Sequence, residues 1–94
     1  MHVISRKALT DFAALHANAC SSFDTWYRII KTGAFANFAD LRRTFNSVDR
    51  VGNLYVFDVA GNKFRVIAAI HFDQQRIYIR HVFTHAQYDD WSPR

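Results

Sequence analysis

A chain of 94 residues is a single domain, 1–94, and with 50% hydrophobic and 16% aromatic residues it is not intrinsically disordered. Twelve basic against eight acidic side chains give a net charge of +4, with nine of the bases Arg and every acid Asp, a balance that suits phosphate-bearing partners such as nucleic acid. A single cysteine, Cys20, excludes an intramolecular disulfide and a cysteine zinc cluster. The opening residues lack the apolar core of a secretory signal, and no apolar run nears the roughly 20 residues of a membrane span, so a soluble, cytoplasmic protein without membrane contact is expected.

His2-Val3-Ile4 reads as a short strand. Ser5 is expected to cap a helix over about Arg6 to Ala17, its hydroxyl satisfying a free amide of the first turn. Ala8, Leu9, Phe12, Leu15 and His16 form the apolar stripe of that helix. Cys20 falls at the junction with a second helix, capped by Ser21 or Ser22. There Phe23, Trp26, Tyr27 and Ile30 stand at i, i+3, i+4 and i+7, a strong amphipathic signal. Lys31 in its last turn and Gly33 just beyond mark its end. Asn37 caps a third, short helix carrying Phe38, Leu41 and Phe45, with Arg42 and Arg43 facing outward.

From Leu54 the pattern changes to that of a β meander. Leu54–Val59 and Lys63–Phe72 are β-rich runs joined at Ala60-Gly61-Asn62, and Gly-Asn is a two-residue hairpin signal because the mirror-image turns need positive φ. Arg76–Phe83 is a third run, after the polar turn Asp73-Gln74-Gln75. Residues 84–91 read as a short helical turn ahead of Pro93. The Gly61-Asn62 turn sets Val59 opposite Phe64, Asp58 opposite Arg65 and Phe57 opposite Val66. In the second hairpin, pairing Phe72 with Ile77 sets Ile70 opposite Ile79, Val66 opposite Phe83 and Arg65 opposite Thr84. One face then holds Tyr55, Phe57, Val59, Phe64, Val66, Ile70, Phe72, Ile77, Ile79, His81 and Phe83, and is the face covered by the helices. The other holds Asp58, Lys63, Arg65, Arg80 and Thr84 with Val56, Ile67, Ala69, Tyr78 and Val82, and an antiparallel sheet can leave such a face open.

That open face carries the chemistry. A fixed Arg holds a phosphate through two parallel hydrogen bonds. His is the side chain whose unperturbed pKa, about 6.5, suits proton transfer near neutrality. Tyr donates a proton or stacks on a base. Arg65 on the central strand, Arg80 on the same face, and His85 and Tyr88 where the last strand leaves the sheet are therefore parts for RNA cleavage by internal attack of the 2′-hydroxyl. That reaction needs no metal and no cofactor. Against this stand plainer readings. Arg65 and Asp58 make an ordinary cross-strand ion pair, and Arg80 a solvated sheet residue. His81 falls on the core face, and Asp89 and Asp90 are solvated at a terminal turn. His81 and His85 lie roughly 13 Å apart on a strand, too far for one zinc ion.

Two runs, Gly61-Asn62-Lys63-Phe64-Arg65 and Ile79-Arg80-His81-Val82-Phe83-Thr84-His85-Ala86-Gln87-Tyr88-Asp89, together with the opening His2 to Leu9, resemble the HigB family of toxins. The resemblance spans nearly the whole chain. It implies a RelE-like α+β fold, with N-terminal helices packed on one face of a small antiparallel β-sheet and the other face open to RNA. It also implies an endoribonuclease that cuts translated mRNA on the ribosome and is neutralised by a HigA-type antitoxin. Arg65, Arg80, His85 and Tyr88 fall on positions matching the family motif and are the expected catalytic residues. Lys63, Thr84, Arg42 and Arg43 are the expected RNA contacts, with Asp58 orienting Arg65. The alternatives from the residues alone are a non-catalytic RNA-binding module on the same face and a protein-interaction module.

Overall fold

The computed structural model describes residues 1–61 and 63–91; Asn62 of the expected turn and Pro93 lie outside them. The elements follow in the order β1 (His2–Ile4), α1 (Arg6–Leu15), α2 (Cys20–Thr32), α3 (Phe38–Thr44), β2 (Asp49–Val51), β3 (Leu54–Val59), β4 (Phe64–His71), β5 (Arg76–Thr84) and α4 (His85–Asp90). The five strands form one sheet in the order β1-β5-β4-β3-β2. The α+β class is as expected, but the sheet is mixed rather than purely antiparallel, because β1 runs parallel to β5. β2 is a strand the sequence pattern does not predict; three residues are too few to show an alternation, and its pairing with β3 defines it. No helix among the described residues is long and apolar enough to cross a membrane.

Helices α1, α2 and α3 pack on one face of the sheet, and α4 brings Tyr88 to Arg65 on the other. Phe23, Trp26 and Ile30 of α2 are buried, as their spacing requires. The Trp26 ring meets Phe57 edge-on at 5.2 Å between centroids, and Phe12 and Phe23 both lie 5.6 Å from Phe64. The expected α1 stripe is half right. Leu9 and Phe12 are buried, whereas Leu15 is 82% exposed because the helix ends there and His16 turns back to stack on Phe12 at 4.3 Å. Two expected caps fail. Ser5 sits in the left-handed region (φ 72°) with no capping hydrogen bond from its side chain, and it closes the first turn through its carbonyl, which accepts from Ala8 N at 3.0 Å. α2 starts one residue before Ser21, after a single 3₁₀ turn over Ala17–Ala19, with Ala19 at the cap. Asn37 does cap α3, its side chain accepting from Asp40 N. Gly33 follows α2 as expected but in an extended conformation (φ −85°). Close packing demands glycine there, since a Cβ would come within 2.7 Å of the Phe35 ring.

The first hairpin has the expected register: Val59 pairs with Phe64, Asp58 with Arg65 and Phe57 with Val66. Gly61 takes positive φ (68°), as the first central residue of a mirror-image turn requires, while Ala60, expected to pair with Lys63, is itself left-handed (φ 57°) and lies beyond the paired residues of the ladder.

The second hairpin departs from expectation. Ile70, not Phe72, pairs with Ile77, and Ala68 pairs with Ile79. Phe72 instead belongs to the turn, closed by Gln75 at φ 52°, whose side-chain amide donates to the carbonyls of Phe35 and Phe72 (2.6 and 2.8 Å). This slip of two leaves the faces of Ile77 to Ile79 unchanged, because side chains alternate with period two. Then the ladder jumps: Ile67 pairs with His81, Val66 with Val82, Arg65 with Phe83 and Phe64 with Thr84. Arg80 is the extra residue of a β-bulge. One added residue reverses every face after it. Val82 therefore packs against the core, while His81 and Phe83, expected under the helices, share the face of Arg65. Thr84, expected on the open face opposite Arg65, pairs with Phe64.

The core predicts its own stability profile. Phe57 is 1% exposed between Trp26 and Phe45, so Phe57→Ala should cost about 3–5 kcal/mol. Leu15→Ala should stay within about 0.5 kcal/mol. Urea unfolding of the two variants beside the parent checks both; equal losses would show that the core is misplaced.

Candidate active site

Arg65 projects from the start of β4, the central strand, on the face away from α1, α2 and α3, because its neighbours Phe64 and Val66 fill the core. The expected solvent-facing position is not what forms. Arg65 is 7% exposed, enclosed by β3, by the start of α4 and by Tyr88. A buried guanidinium is tolerable only with its hydrogen bonds and charge answered, and the local partners do so. Nε donates to Asp58 Oδ1 at 2.9 Å across the β3–β4 pair. Nη1 donates to the Phe64 carbonyl at 3.2 Å. Nη2 lies 3.0 Å from His85 Nδ1. Tyr88 supplies a π-face 5.5 Å from the guanidinium carbon, a cation–π contact.

His85 is placed by the turn from β5 into α4. Thr84 caps that helix: its hydroxyl accepts from Gln87 N at 3.2 Å while the Gln87 side chain accepts from Thr84 N at 2.9 Å, a reciprocal capping box. The backbone N–H of His85 donates to the Lys63 carbonyl at 2.9 Å, which ties α4 to the mouth of the first hairpin. The ring is thus held at both nitrogens. Arginine has donors only, so in this contact Nδ1 is the acceptor, and Nε2 is left as the ring's second nitrogen. That nitrogen faces Asp89 Oδ2 at 3.3 Å, one helical turn on at i+4.

Of the expected catalytic residues, Arg65, His85 and Tyr88 come together, with Asp58 against Arg65 as anticipated. Arg80 does not join them through any contact described. At the bulge its guanidinium lies over the Tyr78 ring at 5.6 Å, and it is exposed. Lys63 is exposed at the hairpin, beside the site through its carbonyl. Thr84 is spent on the cap. Arg42 lies over Phe38 at 5.7 Å and Arg43 reaches Asp40 at 3.7 Å. Both belong to α3, in the helical layer on the far side of the sheet from Arg65. Asp89 is the residue that sequence reasoning passed over. Its signal was present: a helical turn over residues 84–91 sets Asp89 one turn from His85.

With this geometry described, the comparisons with known proteins become specific. Residues 19–91 match the family model of HigB toxins, described as the RelE-like toxic component of a toxin–antitoxin system. The chain is 35% identical over 92 residues to the mRNA interferase HigB of Escherichia coli O6:H1, covering 95% of this chain and 89% of that protein. It is 38% identical over 92 residues to the mRNA interferase toxin HigB of Escherichia coli strain K12 and to the mRNA interferase HigB of Shigella flexneri, covering 95% of this chain and 88% of each. The class is that of RelE-like toxic components of toxin–antitoxin systems. Within it, the chain belongs to the HigB toxin family.

The Arg65 cluster carries a stability prediction. Asp58→Ala leaves a buried guanidinium without its carboxylate, so it should cost about 3 kcal/mol, the lower end for a broken buried pair, since Asp58 is itself a quarter exposed. Asp89→Ala removes only a half-exposed contact and should cost less than about 1 kcal/mol. Chemical denaturation distinguishes them; equal and small losses would mean that the Arg65–Asp58 contact does not hold the site.

Proposed function

We propose that this chain is an mRNA interferase: an endoribonuclease that cuts translated messages on the ribosome by attack of the RNA's own 2′-hydroxyl, and is held in check by a HigA-type antitoxin. The observation that carries the reading is the direct Arg65–His85 contact at 3.0 Å, with Tyr88 against the same guanidinium. A fixed positive charge, an imidazole and a phenol occupy one spot on the sheet face away from α1, α2 and α3.

In the structure the Nδ1 lone pair of His85 is taken by Arg65. A base needs that lone pair. The scissile phosphate is the natural competitor for Arg65, because a guanidinium binds a phosphate with charge-assisted hydrogen bonds. When it draws Nη2 away, Nδ1 is released as the base. The 2′-hydroxyl then gives its proton to Nδ1, and its oxygen bonds to phosphorus. The bond from phosphorus to the 5′-oxygen breaks, and that oxygen takes the Tyr88 phenolic proton. The products are a 2′,3′-cyclic phosphate and a 5′-hydroxyl, and solvent returns His85 and Tyr88 to their starting forms. Arg65 answers the extra charge on the phosphate, the kind of preorganised electrostatic stabilisation that dominates such reactions. Asp89 at Nε2 steadies the imidazolium. Lys63, exposed at the hairpin, and Arg80 hold flanking phosphates. No step calls on a metal or a cofactor.

Expression of the parent in cells should stop growth and leave cut messages. Arg65→Ala should abolish both, and His85→Ala should lower the cleavage rate by about 10²–10⁴-fold. Tyr88→Phe keeps the ring over Arg65 and removes only the phenolic proton, so its loss should be as large as that of His85→Ala. Mapping of message 5′ ends, with soluble yield as a folding control, reads all three. Unchanged cutting by His85→Ala would refute the acid–base assignment.

A further inference from the structure

The bulge at Arg80 has built a second feature beside the Arg65 centre. His81 and Phe83, turned outward together, lie nearly parallel, with ring centroids 5.2 Å apart and 11° between planes. Trp91 closes against both, at 5.4 Å from His81 and 5.8 Å from Phe83, and continues to Tyr88 at 6.0 Å. Phe83 pairs directly across from Arg65. An aromatic wall therefore runs from the guanidinium outward, and its outermost ring, His81, is exposed. An exposed ring backed by half-buried aromatic neighbours and set next to a cation supplies the two parts of a single-strand nucleic-acid platform, one for the base and one for the backbone.

We propose that His81, backed by Phe83 and Trp91, is a base-stacking subsite for a nucleotide adjoining the scissile phosphate. The proposal rests on the reading of the Arg65 centre as an RNA-cleaving site and adds to it a position at which the substrate's base is gripped. One face of the imidazole is occupied by Phe83, and a base stacks on the other. The rings are held in place by Trp91, so little ordering is needed on binding. His81 sits two residues from Phe83, about 7 Å along the strand, within the span of one nucleotide from Arg65. Arg80, adjacent in sequence, exposed and over Tyr78, would meet the backbone of that nucleotide. Stacking tolerates every base, so the subsite fixes position on the message more than sequence.

The test separates binding from chemistry. A message with its 2′-hydroxyl methylated at the cut site, presented on the ribosome, binds but cannot react. Its affinity is measured by titration, with each nucleotide around that site made abasic in turn. In the parent, one abasic position should weaken binding by about 5–150-fold, the range of one base–aromatic stack. His81→Ala should lose the same factor on intact RNA and show no further loss with that abasic RNA. His81→Trp should restore affinity, which a merely structural role would not allow. On cleavable message His81→Ala should raise KM and leave kcat near that of the parent. Additive losses, or no loss in His81→Ala, would overturn the subsite. Weakened antitoxin binding with unchanged RNA affinity would overturn it too, and assign the wall to a protein partner. If the methylated RNA binds and is gripped at His81 but cleavable message stays intact, the subsite stands and the nuclease reading fails; if the parent binds no RNA, both fail.

Discussion

A guanidinium buried against the central strand of a sheet has to have its charge and hydrogen bonds met by its immediate neighbours, and the arrangement around Arg65 follows from that demand. Asp58 answers from the next strand at 2.9 Å, which requires the first hairpin to hold one register. His85 answers from the opposite side, which requires the last strand to end at Thr84 and turn at once into α4. Tyr88 covers the group from that helix. The same contacts that make the buried charge tolerable bring an imidazole and a phenol to it, so the side chains proposed for the chemistry are also the ones that hold the charge. That explains why the guanidinium is buried while His85, whose Nδ1 it engages, stays half-exposed beside it.

The β-bulge is the second constraint. Without it, His81 and Phe83 would point into the core and Val82 outward. The extra residue lets one strand serve two masters: Ile77 and Ile79 fill the core at its start, and an aromatic pair is delivered to the Arg65 face near its end. The bulged residue, Arg80, stays exposed on the rim. Bulges commonly re-aim side chains near functional sites, and here the re-aimed pair lines the approach to the guanidinium.

Much of this was legible in the residues. The apolar spacing of α2, the Gly61 turn and the Asp58–Arg65 pairing follow from periodicity and turn chemistry, and the last two alone place Arg65 away from the helices. The bulge was not legible. The run from Arg76 to Phe83 alternates without glycine or proline, and both His81 and Phe83 are plausible on either face, so a regular ladder fits the string as well as a broken one. The polar turn at Asp73-Gln74-Gln75 was legible but its extent was not: Phe72 joins it because Gln75 takes positive φ and its side chain is held by the carbonyls of Phe35 and Phe72. Ser5 failed as a cap because the chain needs a left-handed residue there to leave β1. Membership of the HigB family agrees with the two motif runs, but the individual roles had to be argued from geometry: Arg80 matches the motif and stands apart from the cluster, while Asp89 closes it.

The central claim is that Arg65, His85 and Tyr88 cut RNA through its own 2′-hydroxyl. The chemistry of the cut ends tests it most directly. Purified protein acting on translated message should leave a 2′,3′-cyclic phosphate upstream and a 5′-hydroxyl downstream, and a single 2′-deoxy nucleotide at the cut site should prevent the reaction. A 3′-hydroxyl paired with a 5′-phosphate, or unhindered cutting at the deoxy position, would contradict it.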